Sequence, residues 1–182
     1  MTIKKLSQTQ VRELAWKVKE RTENIYEARK LCCAEAVIAA LNETFGGGLD
    51  YALAVRLGAG FCHGMGGAGC ACGALTGAQV VLGLFMGPTA EGGMKKKEFG
   101  AVSKELHDRF KEKNVATCCR ILCKRRKEKK GPSCKELTGC GAELVTELLL
   151  AHRPEFAERV NNDFLMARDS KVAGMVKKML GG

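Results

Sequence analysis

Residues Leu31 to Phe45 read LCCAEAVIAALNETF, and this stretch decides the fold. Its spacing predicts a helix, and its apolar character predicts a buried one. Gly46-Gly47-Gly48 ends it, because glycine readily takes the left-handed conformation that closes a helix. Asp50 is positioned to cap a short third helix running through Leu57. Upstream, Ser7 is the N-cap candidate of a helix reaching Glu27. Val11, Leu14, Ala15 and Val18 recur there at helical spacing, and charged residues fill the other face.

Downstream the texture changes. Gly58 to Gly73 reads GAGFCHGMGGAGCACG, nearly half glycine, with three cysteines and a histidine. Such a segment is predicted to be a loop whose backbone can approach something closely. A helix is predicted from Gly73 to Phe85, small-residue-rich at first, and an amphipathic one from Lys95 to Lys113 with Phe99, Val102, Leu106 and Phe110 on one face. Val115 to Cys123 is a short apolar segment, and the basic run Lys124 to Lys130 (KRRKEKK) after it reads as a loop. Lys135 to Ala151 is another helix. Pro154 opens a final amphipathic stretch, Glu155 to Leu180, expected to pack on the domain or on a second subunit. No strand alternation and no internal repeat appears. The expected fold is all-α: a compact multi-helix domain over residues 1–152 with a Gly/Cys-rich loop, and a C-terminal helical extension over residues 153–182.

At 182 residues with 46% hydrophobic and 27% charged composition, the chain can bury a core without disulfide staples. The first residues carry no apolar signal segment, and no apolar run approaches the roughly 18–20 residues of a membrane span. A cytoplasmic, membrane-free protein is expected, in a compartment where thiols stay reduced. Ten cysteines then point to metal ligands or redox chemistry. The net charge of +10 reads first as solvated basic loops and next as a docking surface for an acidic redox partner. With 5% aromatic residues and no nucleic-acid motif, nucleic acid comes last.

The cysteines are Cys32, Cys33, Cys62, Cys70, Cys72, Cys118, Cys119, Cys123, Cys134 and Cys140, and no pair is spaced C-x-x-C. That spacing argues against thioredoxin-type sites, zinc ribbons, bacterial ferredoxin runs and the c-type haem attachment site. Cys119 and Cys123 lie four apart and share a face if their segment is helical. Arg120, Lys124 and Lys135 stand beside Cys119, Cys123 and Cys134 in sequence, which suits anionic sulfur. Cys32, Cys118 and Cys140 could equally be small buried hydrophobes. Gly64-Met-Gly66-Gly-Ala-Gly69 fits the dinucleotide pattern G-x-G-x-x-G, yet a Cys-His precedes it rather than a buried strand. Close backbone approach to a metal cluster is the stronger reading, with Gly66, Gly69 and Gly73 bringing amides to its sulfides. His63 could ligate a metal or shuttle a proton, or simply pack at the surface. Glu35 could accept a thiol proton or be a solvated helix carboxylate.

The order Cys33-Ala-Glu-Ala-Val, then Cys72-Gly-Ala-Leu-Thr-Gly-Ala after the glycine-rich stretch, then Cys119-Arg-x-Leu, then Cys134-x-x-Leu-Thr-Gly resembles the redox-active protein family named for the pattern C_GCAxxG_C_C. The resemblance covers roughly Tyr26 to Leu150, and Cys-Gly-Ala-x-x-Gly is its most specific part. It sets the family's four cysteines on Cys33, Cys72, Cys119 and Cys134. It implies a redox role, often beside oxidoreductase or transport functions, without a fixed reaction. Some relatives join this module to haem-attachment sequences and an iron–sulfur site. Six further cysteines depart from the plain pattern, and they could enlarge the cluster, build a second one, or form a disulfide relay. Three functions follow as expectations. The first is an iron–sulfur protein, an electron-transfer component of an oxidoreductase system, with Cys62, Cys70 and Cys123 as the next ligands after the four. The second is a metal-free thiol–disulfide redox protein, and the third a module for soft metals such as zinc or copper.

Overall fold

In a computed structural model, residues 6–90 and 92–170 are described. Nine α-helices and one 3-10 helix form among them, and no strand does. The all-α expectation is met. In order the helices are α1 (Gln8–Ala28), α2 (Cys33–Phe45), α3 (Tyr51–Ala59), a single irregular turn α4 (Cys62–Met65), α5 (Gly73–Met86), α6 (Lys96–Asn114), α7 (Cys119–Lys127), α8 (Cys134–His152) and α9 (Asn162–Met166).

Local chemistry sets most of these bounds. Ser7 caps α1, its hydroxyl accepting from the Gln10 amide at 3.2 Å while Gln10 answers the Ser7 amide at 2.9 Å. Gly46 closes α2 in the left-handed region. The buried Asn42 side chain then holds the turn by hydrogen bonds to both backbone groups of Leu49, at 2.9 and 3.1 Å. The Asp50 carboxylate caps α3 by accepting from the Leu53 amide at 3.0 Å.

α8 is the spine. It packs on α1, α5 and α2, and α2 in turn lies between α5 and α3. Two crossings are at backbone distance. A Cβ on Gly77 would fall 2.8 Å from Ala34 Cα, and one on Gly141 would fall 2.5 Å from the Ala74 carbonyl oxygen. These small residues let α2, α5 and α8 converge, which matters because all three start at the same place. At the opposite end, Phe45, Phe85 and Phe156 stack edge to face with centroids 5.1–6.5 Å apart.

Three expectations are corrected. The basic run is not a loop from Lys124: α7 continues to Lys127, so its first four residues are helical. The loop predicted over Gly58 to Gly73 contains the end of α3 and the turn α4. The stretch from Glu155 is not one amphipathic helix. It runs as a 3-10 helix (Pro154–Arg159), then α9, then extended chain, because Phe156 and Leu165 must both enter the core from a strap that crosses it. Its remainder, from residue 171, lies outside the described residues. The strap is held at its end by Asp169, which pairs with Arg29 and with the buried Arg21 (3.0 Å to the latter). Arg21 sits on the buried face of α1 beside Val18 and Ile25, although its charge alone would assign it to solvent, and Phe164 covers its guanidinium at 4.4 Å.

Candidate redox site

Backbone pairing with the residues before α7 folds the end of the glycine-rich loop. The Cys72 amide donates to the Thr117 carbonyl at 2.8 Å, the Cys119 amide to the Cys70 carbonyl at 2.6 Å, and the Arg120 amide to the Gly69 carbonyl at 3.1 Å. This short antiparallel contact sets Cys72 beside Cys119. Gly64 is required where the two segments meet: its φ is +74°, and a Cβ there would fall 2.6 Å from the Cβ of Cys119.

Four helices begin around one cleft of about 310 Å³. Cys33, Cys119 and Cys134 are the first residues of α2, α7 and α8, and Cys72 is the N-cap of α5. All four line the cleft, with Cys123 as a fifth free thiol. Cys119 and Cys123 stand one helical turn apart with sulfurs 3.9 Å from each other, as their spacing predicts. Each helix start presents the positive end of its dipole, which favours sulfur as thiolate. Tyr26, Leu31, Leu122 and Leu137 form the apolar wall. Lys30 and Arg126 are the lining cations, and among the described residues no carboxylate lines the cleft.

The thiols are electrostatically unequal. Hydrogen bonding from the Cys33 thiol, followed by the Arg126 charge, holds Cys134 down to about 6 against its burial. The Arg126 guanidinium donates to Cys134 Sγ at 2.7 Å. Cys33 is raised, first by that same hydrogen bond and then by burial. Burial pushes Cys72 up to about 11, with the Ala74 and Leu75 amides pulling the other way. Burial and the neighbouring Cys123 push Cys119 up to about 12.

Reduced, metal-free protein should therefore alkylate first at Cys134. Its rate with iodoacetamide should rise as pH passes through about 6 and level off above it, because only the thiolate reacts. Arg126→Ala should move that midpoint upward by about 1–3 pH units. Peptide mapping checks both, and a Cys134 midpoint left in place by the substitution would exclude Arg126 as a cause.

Of the candidates named from sequence, the structure brings Cys33, Cys72, Cys119, Cys134, Cys123 and Gly73 together at the cleft. Cys70 is exposed, and Cys70, Gly66 and Gly69 belong to the loop without lining the cleft. Cys62 is joined to Cys32 by a disulfide, Cα–Cα 5.6 Å, and Cys32 lines the cleft. His63 also lines it. Cys118 donates to the Gly69 carbonyl at 3.1 Å, and Cys140 is buried beside Asn114. Among the expected cations, Arg120 instead donates to the Ala68 carbonyl and Lys135 pairs with Glu27. The cation that does reach a cleft sulfur, Arg126, escaped sequence reasoning because its segment read as a loop. Its spacing of three from Cys123 and seven from Cys119 was the available signal.

The family described as "Putative redox-active protein (C_GCAxxG_C_C)" matches over residues 31–148, the span that holds every lining residue but Tyr26 and Lys30. No curated protein and no solved structure matches the chain.

Proposed function

Since the chain belongs to the C_GCAxxG_C_C family of redox-active proteins, we propose that its cleft is an electron-transfer centre in which Cys33, Cys72, Cys119 and Cys134 hold an iron–sulfur cluster. The observation that carries this reading is the convergence of four family thiols, each at the start of a different helix, on one cleft. Soft thiolate donors suit iron–sulfur, zinc or copper(I) alike, so spacing has to discriminate. Tetrahedral thiolates on one zinc, at ~2.3 Å, lie about 3.8 Å apart. Among the described residues, the one group of three or more His, Cys, Asp or Glu whose ligand atoms lie within 4.8 Å of one another is Cys32, Glu35 and Cys62. No three cleft thiols are that close, which favours a polynuclear centre over a single ion. Helix-start amides, Lys30 and Arg126 complement an anionic cluster, and the apolar wall keeps water from it.

When bound, such a cluster supplies one-electron storage and transfer at a potential set by burial and hydrogen bonding. The chain's residues hold, shield and orient it. The exposed basic side chains Lys124 and Lys127, on the helix that begins at Cys119, offer a docking face for an acidic electron-transfer partner in a reducing cytoplasm. Among the described residues no helix is long and apolar enough to cross a membrane.

The test is purification without oxygen, followed by assays of iron and acid-labile sulfide and a visible spectrum. Iron and sulfide in matching amounts, with absorbance that bleaches on reduction, are expected. A colourless, iron-free protein would overturn the cluster. The hydrogen-bonded Cys33 and Cys134, one raised and one lowered, favour a second reading as a dithiol pair, and that outcome would select it.

A further inference from the structure

Among the described residues, one free thiol outside the family pattern faces the cleft. Cys62 is bonded to Cys32 and Cys70 does not line the cavity, which leaves Cys123. It is half-buried on α7, one turn beyond Cys119. Leu122, 2% exposed, anchors that turn to the core. The two sulfurs stand 3.9 Å apart. Two thiolates on one tetrahedral metal ion, each at ~2.3 Å, lie about 3.8 Å apart. The pair thus already has the bite of a single ion, and one helix carries both members. On its other side Cys123 donates to Cys134, so it stands between two family thiols.

We infer that Cys119 and Cys123 together chelate one metal ion of the centre, which makes Cys123 a fifth ligand. This deepens the cluster reading above and rests on it for the identity of the metal. The lining suits an added thiolate, since Lys30 and Arg126 are present and, among the described residues, no carboxylate is. Two sulfurs on one helical turn also act as a linked pair. When either lets go, the other keeps the ion close and raises the chance of recapture. Cys33, Cys72 and Cys134 each come from a different helix start and have no such stand-in on their own helix. The Cys119 corner is therefore the one that tolerates loss of a single sulfur.

The experiment uses the whole chain purified without oxygen, with iron and sulfide measured on each preparation. Cys119→Ala, Cys123→Ala and the double variant are compared with the unsubstituted chain. Alanine is the best helix former, so α7 is kept, as circular dichroism will show. Each single variant should retain most of its iron but release it to an external chelator about 100-fold faster, the effect of removing one of two linked ligands. The double variant should lose its iron. In the unsubstituted chain the bound metal should shield Cys123 from iodoacetamide, and stripping the metal should remove that shield, read by peptide mass.

Release from Cys123→Ala at the unsubstituted rate would overturn the chelate. So would a Cys119→Ala protein as empty of iron as the double variant, or a Cys123 alkylated equally fast with and without metal. Should the purified chain carry no iron, cadmium added to the reduced protein is the probe. Cadmium is then expected to shield Cys119 and Cys123 together and to bind Cys123→Ala about 100-fold more weakly. That result refutes the cluster alone and supports the chelate. Cadmium that leaves Cys123 unshielded, or binds both chains equally, overturns it. An iron-loaded protein with an unshielded Cys123 refutes the chelate alone.

Discussion

Cys72→Ser is expected to strip the protein of most of its iron, sulfide and visible absorbance while leaving it folded. Cys72 is 3% exposed, the most buried of the four family thiols at the cleft. Burial pushes its thiol up to about 11, so near pH 7 it stays protonated unless a cation at the cleft draws off the proton. Serine fills nearly the same volume and is a better N-cap for α5, so the backbone is undisturbed. Its hydroxyl, however, is a poor soft-metal ligand. The loss in affinity should exceed the roughly 10- to 100-fold that follows removal of an outer-shell partner. Cys140→Ser is the control, since Cys140 faces Asn114 away from the cleft and should retain full iron. Circular dichroism and metal content on the two variants decide the matter. Unchanged absorbance in Cys72→Ser refutes this placement of the centre.

The second large effect concerns stability. Phe45 is fully buried and meets Phe85 and Phe156 edge to face. Phe45→Ala should cost about 3–5 kcal/mol, the sum of lost transfer energy and an unfilled cavity. In a chain of this size that corresponds to a fall in Tm of roughly 10 °C. Phe156 belongs to the strap after α8, so the strap should loosen as well, read as faster amide exchange around residues 154–159. A loss below about 1 kcal/mol in urea unfolding would show that the three rings do not anchor this end of the core.

Much of this architecture is legible in the residues themselves. Ser7, Gly46 and Asp50 each mark a helix boundary by local chemistry that tertiary contacts do not override. The same holds for Ser133 and Glu136, a capping box readable in sequence that places Cys134 at the start of α8. Cys119 and Cys123 were placed on one face by spacing alone. Tertiary facts are less visible. The Cys32–Cys62 bond joins residues thirty apart, and connectivity cannot be deduced from cysteine positions. The bend of α4 and the pairing of residues 69–72 with 117–120 rest on backbone conformations that glycine permits but does not dictate. The basic run read as a loop because four cations in a row have no apolar partner. It is helical because Leu122 anchors α7 to the core, and that extension turns Arg126 towards Cys134. The strap after α8 lost its helix to the core's demand for Phe156 and Leu165.

The four helix starts at the cleft also bear on chain topology. They belong to segments scattered through the sequence, at Cys33, Cys72, Cys119 and Cys134, with whole helices looped out between them. A group gripping all four sulfurs ties these loops shut at a single knot. Closing long loops removes freedom chiefly from the unfolded chain, and the entropy removed grows only slowly with loop length. The cleft thus joins distant parts of the chain as a set of cross-links would, and whatever occupies it becomes part of what keeps α2, α5, α7 and α8 from drifting apart.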